Sequence, residues 1–268
     1  LIVDHGLQPG SRAVAEAARR HAIGLGCVAA QVIPVTVGSE GGPEAAARTA
    51  RYGALEQARG GAPVLIGHTL DDQAETVLLG LGRGSGPRSI AGIRPCDPPW
   101  FRPLLGVRRT MTETVCAELG IEPWHDPHNA DPRFTRARLR AEVLPLLEEV
   151  LGGGVAEALA RTATAVRADS EVLDELADQA LAHARTDTDD LRVDALAALP
   201  DAIRRRVIRG WLLDGGARRL TAKQILGVDA LVTGWHGQGG VAVGSELPGR
   251  RLFAGRRGGI LTLYPESL

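Results

Sequence analysis

The sequence predicts an α/β fold in which a parallel sheet carries helices on both faces, followed by a helical linker and a small α+β C-terminal domain. Two observations predict it. Short, continuously apolar segments alternate with helical stripes in the first third of the chain, and each apolar segment ends in a polar loop. Such alternation is typical of a buried parallel sheet. Ligands of these sheets bind outside the carboxyl ends of the strands, so a site is expected in the loops that follow them.

The first third of the chain contains three predicted strands and three predicted helices. The apolar runs that predict strands are residues 1–3, 28–37 and 63–67. Ser11 suits a helix N-cap before an apolar stripe, and Pro43 suits the start of an alanine-rich helix. A third helix is expected over residues 71–82. The loops Asp4-His5-Gly6, 38–42 and Gly67-His68-Thr69 would then lie at one edge of the sheet.

The rest of the chain is predicted to be mainly helical. Residues 82–103 are rich in Gly, Pro and Arg and are predicted as loop, whereas Gly152-Gly153-Gly154 is the clearest break. The predicted helices are residues 107–119, 155–184, 201–213 and 221–232, and short strands are expected near Val241, Leu252 and Leu261. The expected domains are residues 1–147, a helical linker at 148–185, and residues 186–268.

The composition excludes several classes of protein. The 31 Lys and Arg residues and 32 Asp and Glu residues give a formal net charge of -1, which excludes a chain-wide basic field for nucleic acid. Only Lys223 is a lysine. Cys27, Cys96 and Cys116 are too few and too scattered for a disulfide framework or a zinc site, so a cytoplasmic protein is expected. No apolar run approaches the roughly 18 residues of a membrane span.

Three carboxylates follow the third predicted strand, and we call them the acid cluster: Asp71, Asp72 and Glu75. Their spacing of three and four residues places them on one helix face near its N-terminus, with His68 just before them. Acidic residues in a first helical turn often only cap the helix. At the ligand-facing edge of a parallel sheet, however, such a cluster suits Mg²⁺ or a substrate ammonium group.

Other charged residues allow both a structural and a functional interpretation. Asp4 and His5 are either a strand-exit turn or part of the same cleft, and Arg48 with Arg51-Tyr52 is either a solvated helix face or part of the site. Three separated arginine groups suggest a large polyanion that is contacted at several places. These groups are Arg133 with Arg136, Arg138 and Arg140; Arg204-Arg205-Arg206 with Arg209; and Arg250-Arg251 with Arg256-Arg257.

These motifs together resemble the bacterial tRNA(Ile)-lysidine synthases, whose fold is similar to that of the adenine-nucleotide alpha hydrolases. The similarity covers residues 1–147 closely and the tail more weakly. Its motifs are Val3-Asp4-His5-Gly6-Leu7 with Pro9-Gly10-Ser11, Glu44-Ala45-Ala46-Ala47-Arg48 with Arg51-Tyr52, Gly67-His68, Asp71-Asp72-Gln73-Ala74-Glu75-Thr76, Arg83-Gly84-Ser85-Gly86, Arg102-Pro103-Leu104-Leu105, Trp124 with Asp126-Pro127 and Asn129, and residues 136–145. The tail motifs are Leu199-Pro200, Arg204-Arg205-Arg206, Leu247-Pro248-Gly249 and Arg250-Arg251.

The resemblance implies an ATP-dependent ligase of tRNA. Such an enzyme adenylates the C2 oxygen of the wobble cytidine in tRNA(Ile) with a CAU anticodon, and L-lysine then displaces AMP. The product, lysidine, changes the codon read from AUG to AUA. The implied cofactors are ATP, as a substrate, and Mg²⁺, and the family allows a homodimer. No membrane partner is implied.

The resemblance also implies roles for individual residues. Asp72 and Glu75 would bind lysine with Arg48 nearby, while Asp4, His5, Asp71 and Asp72 would form the catalytic cleft. His68 is a candidate ATP contact and Asp71 a candidate Mg²⁺ ligand. The residues expected to contact tRNA are Arg83, Arg136, Arg138, Arg140, Arg204 and Arg205. Residues 1–147 would be the catalytic nucleotide-binding domain and residues 186–268 the tRNA-binding domain.

The sequence departs from the family pattern at two points. No Ser-Gly-Gly-x-Asp-Ser loop is present in the 268 residues, and Ala137 stands where the family usually has asparagine. We therefore expect a chain that lacks its first strand, ATP loop and first helix and is impaired in binding ATP, because oriented backbone N–H groups supply most of a phosphate site.

Two other functions fit parts of the pattern. One is a non-catalytic tRNA-binding remnant that retains the basic groups. The other is a tRNA thiolase of the same superfamily, which is disfavoured because the three cysteines form no Cys-x-x-Cys pair.

Overall fold

The computed structural model describes residues 1–40, 42–84, 86–244 and 250–267. The chain divides into two compact units. The first unit consists of Leu1–Gly82 and Ile90–Ala163, and the second of Arg83–Ser89 and Thr164–Leu268. The domain limits at residues 147 and 185 stay predictions.

The strands of the first unit confirm the predicted parallel arrangement. Strand β1 (Ile2–Asp4) pairs in parallel with β2 (Val32–Pro34), with Val3 opposite Ile33. Strand β3 (Val64–Leu65) pairs in parallel with β5 (Trp100–Phe101), and β4 (Cys96–Asp97) is antiparallel to β5. Strand β1 ends at Asp4 and β3 ends at Leu65, so His5-Gly6 and Gly67-His68 follow the carboxyl ends of these strands.

The helices alternate with these strands. In chain order they are α1 (Ser11–Gly24), α2 (Pro43–Ala58), α3 (Leu70–Arg83), α4 (Pro87–Ile90), α5 (Arg109–Glu118), α6 (Thr135–Arg138) and α7 (Leu144–Val150). A 3-10 turn covers Pro127–Asn129 and a π-helical turn covers Leu139–Val143. The apolar face of α3 packs through Leu70 and Ala74 against Leu144 and Ala156, which fixes the face that carries the acid cluster.

Two predicted elements differ from the structure. The strand expected over residues 28–37 is only Val32–Pro34, and Val28 is fully exposed. The region 82–103, expected to be loop, contains α4, β4 and β5. A strand of two residues has no periodicity of its own, and β5 exists because its backbone completes hydrogen bonds with the distant β3.

The second unit is a small α+β domain. It contains the C-terminal part of α8 (Val155–Ala184), followed by β6 (Leu191–Arg192), α9 (Val193–Ala197), α10 (Asp201–Asp214), α11 (Ala222–Thr233), β7 (Val241–Val243), β8 (Arg250–Arg257) and β9 (Ile260–Ser267). The four strands form an antiparallel sheet in the order β6-β9-β8-β7. Leu196, Ile208, Trp211 and Leu231 pack in its core against Leu261.

In the second unit, the long helix, the two later helices and the C-terminal strands follow the sequence prediction closely. The motif Leu247-Pro248-Gly249 and the residue Ser85 lie outside the described residues. Within the described part of the chain, no helix has the length and apolar character that a membrane span needs.

Candidate active site

Asp4 ends β1 and holds the turn that follows it. The side chain is buried, and its Oδ1 accepts the Gly6 N–H at 3.1 Å. Hydrogen bonds from Ser11 and Gly6 lower the pKa of Asp4. Gly6 has a positive φ of 62°, which suits a residue without a Cβ. Asp4 is therefore an ionised residue that shapes the strand-exit turn.

His5 follows directly and faces two clefts of the first unit. Burial and the charge of Arg51 lower the pKa of His5, which keeps the ring neutral. Its Nδ1 is buried and has no hydrogen-bond partner among the described residues. His5 lines a cleft of about 370 Å³ whose wall also includes Arg48, Arg51, Arg136 and Arg140.

Asp72 lies at the start of α3 and fixes the loop from β3. Its Oδ2 accepts the Thr69 N–H at 2.7 Å and the Thr69 hydroxyl at 2.9 Å. Its Oδ1 accepts the Arg109 guanidinium at 3.0 Å. Burial raises the pKa of Asp72, but the Thr69 bonds and the Arg109 charge outweigh it and leave the pKa below its usual value.

Asp71 contacts the start of α5. Its Oδ2 accepts the backbone N–H of Arg109 at 2.7 Å, and its Oδ1 lies 3.5 Å from Nη1 of Arg108. Asp71 thus holds the N-terminus of α5 against α3. Both of its oxygens take part in this contact, and a role as a Mg²⁺ ligand stays a prediction.

Glu75 is fully buried and is paired with two arginines. Its Oε1 accepts Nε of Arg140 at 2.8 Å, and its Oε2 lies 3.5 Å from Nη1 of Arg136. Nη2 of Arg136 also donates to the Thr76 hydroxyl at 3.3 Å. The structure therefore brings the predicted lysine ligand Glu75 together with two of the predicted tRNA contacts.

Arg138 and Arg83 are the exposed members of the tRNA contacts predicted within residues 1–147. Arg138 is exposed and forms a bidentate pair with Glu142, at 2.8 Å for its closest contact. Arg83 is exposed at the last residue of α3. These two positions leave both guanidinium groups at the protein surface, where a polyanion could reach them.

Arg204 and Arg205 of the second unit differ from each other. Arg204 is only 5% exposed, and its guanidinium donates to Asp229, Asp201 and the Leu199 carbonyl. Arg205 is half-exposed and donates to the other oxygen of Asp229 at 3.0 Å. This geometry favours a structural role for Arg204, and its tRNA contact stays a prediction.

A metal centre held by side chains alone is not present among the residues that the structure describes, since no three of His, Cys, Asp and Glu come together to hold an ion. The acid cluster is instead neutralised by arginines. Mg²⁺ at nucleotide sites is commonly held by one or two carboxylates together with substrate phosphates, so a Mg²⁺ ion at Asp71 stays a prediction.

Sequence reasoning missed Arg109, whose guanidinium pairs with Asp72 across 37 positions of the chain. No local pattern links the two residues. The only signal was the basic pair Arg108-Arg109 at the start of a predicted helix.

His68 is half-buried near Asp72, and its ring makes the stability of the fold depend on pH. Burial is the main cause that lowers its pKa from 6.5 to about 4, and Arg48, Arg102 and Arg51 add to it against the opposing charge of Asp72. The unfolded state then binds a proton at a higher pH than the folded state. The contribution of the neutral His68 ring to the free energy of unfolding is fully present above pH 6.5. It is lost as the pH drops from 6.5 to 4.

We expect His68 alone to lower the free energy of unfolding by up to about 1.4 kcal/mol per pH unit in this range. Urea unfolding of the wild type and His68→Gln at several pH values measures it. The variant is expected to show a shallower slope below pH 6.5. Equal slopes for the two proteins would contradict the assignment of a neutral, half-buried ring with a lowered pKa.

Comparison with known proteins bears on what this arrangement serves. A family model described as a PP-loop domain matches residues 1–147, and one described as the TilS substrate binding domain matches residues 191–256. A protein named tRNA(Ile)-lysidine synthase from Mycolicibacterium paratuberculosis is 71% identical over the whole chain, which covers 83% of that protein. The chain belongs to the tRNA(Ile)-lysidine synthase family.

Other members are also close. Proteins with the same name from Mycobacterium tuberculosis (strain ATCC 25618 / H37Rv) and Nocardia farcinica are 69% and 64% identical. Each match covers the whole chain and 84% of the relative. The tRNA(Ile)-lysidine synthase family consists of tRNA-modifying ligases, and its PP-loop domain implies that it uses ATP. The resemblance read from the motifs is confirmed, and the thiolase alternative is not supported.

Proposed function

We propose that this protein ligates L-lysine to C2 of the wobble cytidine of tRNA(Ile) with a CAU anticodon. The observation that carries the proposal is the pair of carboxylates at the start of α3. Asp72 and Glu75 lie at the ligand-facing end of β3, inside the region that matches the PP-loop domain. A buried carboxylate pair is a suitable receptor for the ammonium groups of lysine.

The reaction would proceed in two steps. The C2 oxygen of the cytidine attacks the α-phosphorus of ATP, which forms an O–P bond and releases pyrophosphate. The side-chain amine of lysine then attacks C2, the C2–O bond breaks, and AMP leaves while the amine loses a proton. Asp4, His5 and His68 would line the nucleotide side of the cleft, with Asp71 holding α3 in place. Any Mg²⁺ would arrive on the ATP phosphates.

Lysine must compete with an arginine for Glu75. In the structure the two oxygens of Glu75 face Arg140 and Arg136. An ammonium group donates N–H bonds to the same oxygens, so it can replace one guanidinium without leaving the buried carboxylate unpaired. Arg48 lines the same cleft as Arg136 and would meet the lysine carboxylate.

The arginines would then contact the phosphates of tRNA. Arg83 and Arg138 are exposed, and the release of Arg136 or Arg140 from Glu75 would add a further cation. Arg205 would serve the same purpose in the residues 186–268, and residues 148–185 would link this domain to the catalytic domain. Dimer formation remains compatible with this proposal.

Incorporation of labelled lysine tests the proposal. The gene product, as its genome encodes it, is incubated with ATP, radiolabelled lysine and a tRNA(Ile) transcript that carries CAU. We expect label in the tRNA together with AMP and pyrophosphate in equal amounts. A transcript with uridine at the wobble position is the control and should stay unlabelled. No incorporation into the CAU transcript would contradict the proposal.

Residues 1–268 alone provide a second comparison. They contain no Ser-Gly-Gly-x-Asp-Ser motif, so we propose that they turn over ATP poorly by themselves. Release of AMP in the presence of tRNA and lysine measures this, and rapid turnover by these residues alone would contradict it.

A further inference from the structure

Three arginines converge on one tyrosine of the first unit, and we call them the arginine triad: Arg48, Arg51 and Arg102. Nη2 of Arg48 donates to the Tyr52 hydroxyl at 3.0 Å, and its guanidinium carbon lies 4.7 Å from the ring centre. The Arg51 guanidinium carbon lies 5.8 Å from the same ring centre. Nη2 of Arg102 lies 3.5 Å from the Tyr52 hydroxyl. The rings of Tyr52 and Trp100 pack edge to face, with their centroids 4.7 Å apart.

No member of the arginine triad forms an ion pair with a carboxylate of the described residues. Arg102 is only 6% exposed, and its Nε is buried without an acceptor. Nη1 of Arg102 donates a hydrogen bond to the Arg94 carbonyl at 2.7 Å. A buried guanidinium without a counter-ion is costly, so this arrangement is suited to an anion that arrives from outside.

The surroundings of the triad reinforce this reading. Burial and the neighbouring Arg48 charge lower the pKa of Arg51. Glu44, an acid on the cleft wall, is already paired with Arg136 at 3.1 Å. His68 is neutral and faces the positive potential of all three arginines. The result is an excess of positive charge at the carboxyl ends of β3 and β5.

The charge of the triad selects the kind of anion. The carboxylate of lysine carries one negative charge, so it would match Arg48 and leave Arg51 and Arg102 without a partner. Pyrophosphate carries about three negative charges near neutral pH and offers several oxygens to planar guanidinium forks. We propose that Arg51 and Arg102, held by Tyr52 and with Arg48 at their edge, bind the β- and γ-phosphates of ATP and the pyrophosphate that leaves.

This proposal rests on the proposed function and adds positioning residues to its first step. When the O–P bond to the cytidine forms, the bond between the α-phosphorus and the bridging oxygen breaks and its electron pair goes to pyrophosphate. Fixed cations at that place stabilise the developing charge without reorganisation. Tyr52 acts through the arginines, since its hydroxyl fixes the orientation of two of them.

Binding of inorganic pyrophosphate to the gene product tests the inference, with isothermal calorimetry as the readout. Arg51→Gln is expected to raise the Kd for pyrophosphate by roughly tenfold or more, since it removes a charge-assisted contact. Tyr52→Phe is expected to raise it by a smaller factor. Arg59→Gln is the matched control, because Arg59 lies at the end of α2 and pairs with Glu56 at 2.7 Å. This control should bind pyrophosphate as the wild type does.

An unchanged Kd for pyrophosphate in both Arg51→Gln and Tyr52→Phe would overturn the inference. It would also be overturned if Arg51→Gln weakened lysine binding and left pyrophosphate binding intact, because the triad would then serve the lysine carboxylate. The proposed function is tested separately. If the wild type forms no lysidine but Arg51→Gln still loses pyrophosphate binding, the ligase proposal fails and the phosphate site stands.

Discussion

Glu75→Gln is expected to reduce lysine transfer to tRNA by roughly 100-fold, because truncating one partner of a buried charge pair costs several kcal/mol. Glu75 has no exposed surface, and its carboxylate lies 2.8 Å from Nε of Arg140 and 3.5 Å from Nη1 of Arg136. Glutamine keeps the shape of the side chain but loses the charge that attracts an ammonium group. Initial rates of incorporation at several lysine concentrations measure the effect.

Glu142→Gln is the matched control for this substitution. Glu142 also pairs with an arginine of the same stretch, Arg138, but both side chains are at least half-exposed. A surface pair of this kind contributes little, so the variant should transfer lysine almost as the wild type does. Equal losses in the two variants would contradict a lysine site at Glu75 and would indicate a general weakening of residues 136–142.

Asp229→Ala is expected to lower the free energy of unfolding by about 3–5 kcal/mol, because it leaves a buried guanidinium without its main partner. Asp229 is 4% exposed and accepts Nε of Arg204 at 2.6 Å and Nε of Arg205 at 3.0 Å. Denaturant unfolding of the wild type and the variant measures the difference. Asp201→Asn, at an exposed partner of the same arginines, should cost much less.

The double variant Arg204→Met with Asp229→Leu completes the test. It removes both charges and is expected to recover much of the lost stability, since apolar replacements of a buried pair are often neutral. If Arg204→Met weakens tRNA binding without any loss of stability, the structural role of Arg204 is wrong and the tRNA contact predicted from its sequence motif is favoured.

Features that depend on a single helix or strand could be predicted from the sequence. The acid cluster was predicted because its spacing of three and four residues is a property of a single helix, and α3 indeed begins at Leu70. Val155 to Ala184 was predicted as one helix because the three glycines before it end the preceding segment. Short apolar runs predicted two strands at residues 1–3 and 63–67, and the structure has them at Ile2–Asp4 and Val64–Leu65.

Contacts between segments that are distant in the chain could not be predicted from the sequence. The pairing of Glu75 with Arg136 and Arg140 spans 61 and 65 positions, and no periodicity encodes it. The run Arg204-Arg205-Arg206 looks like one basic surface in the sequence. In the structure the helical rotation of about 100° per residue buries Arg204 and leaves Arg205 half-exposed.

The arginine triad shows the same limit. Arg48 and Arg51 are neighbours on α2, so their proximity was expected. Arg102 lies near them only because β5 pairs with β3, which positions the residue after Phe101 beside the Tyr52 hydroxyl. A short strand between prolines gave no signal of that pairing.

The central claim is that Asp72 and Glu75 serve lysine and not the activation of tRNA. Transfer of label from ATP labelled at its α-phosphate to the CAU transcript measures the two steps separately. With the wild type, label should accumulate on the tRNA when lysine is omitted and should be released as AMP when lysine is added. Glu75→Gln is predicted to accumulate the labelled tRNA even with lysine present. Release of AMP by Glu75→Gln at the wild-type rate would contradict the claim.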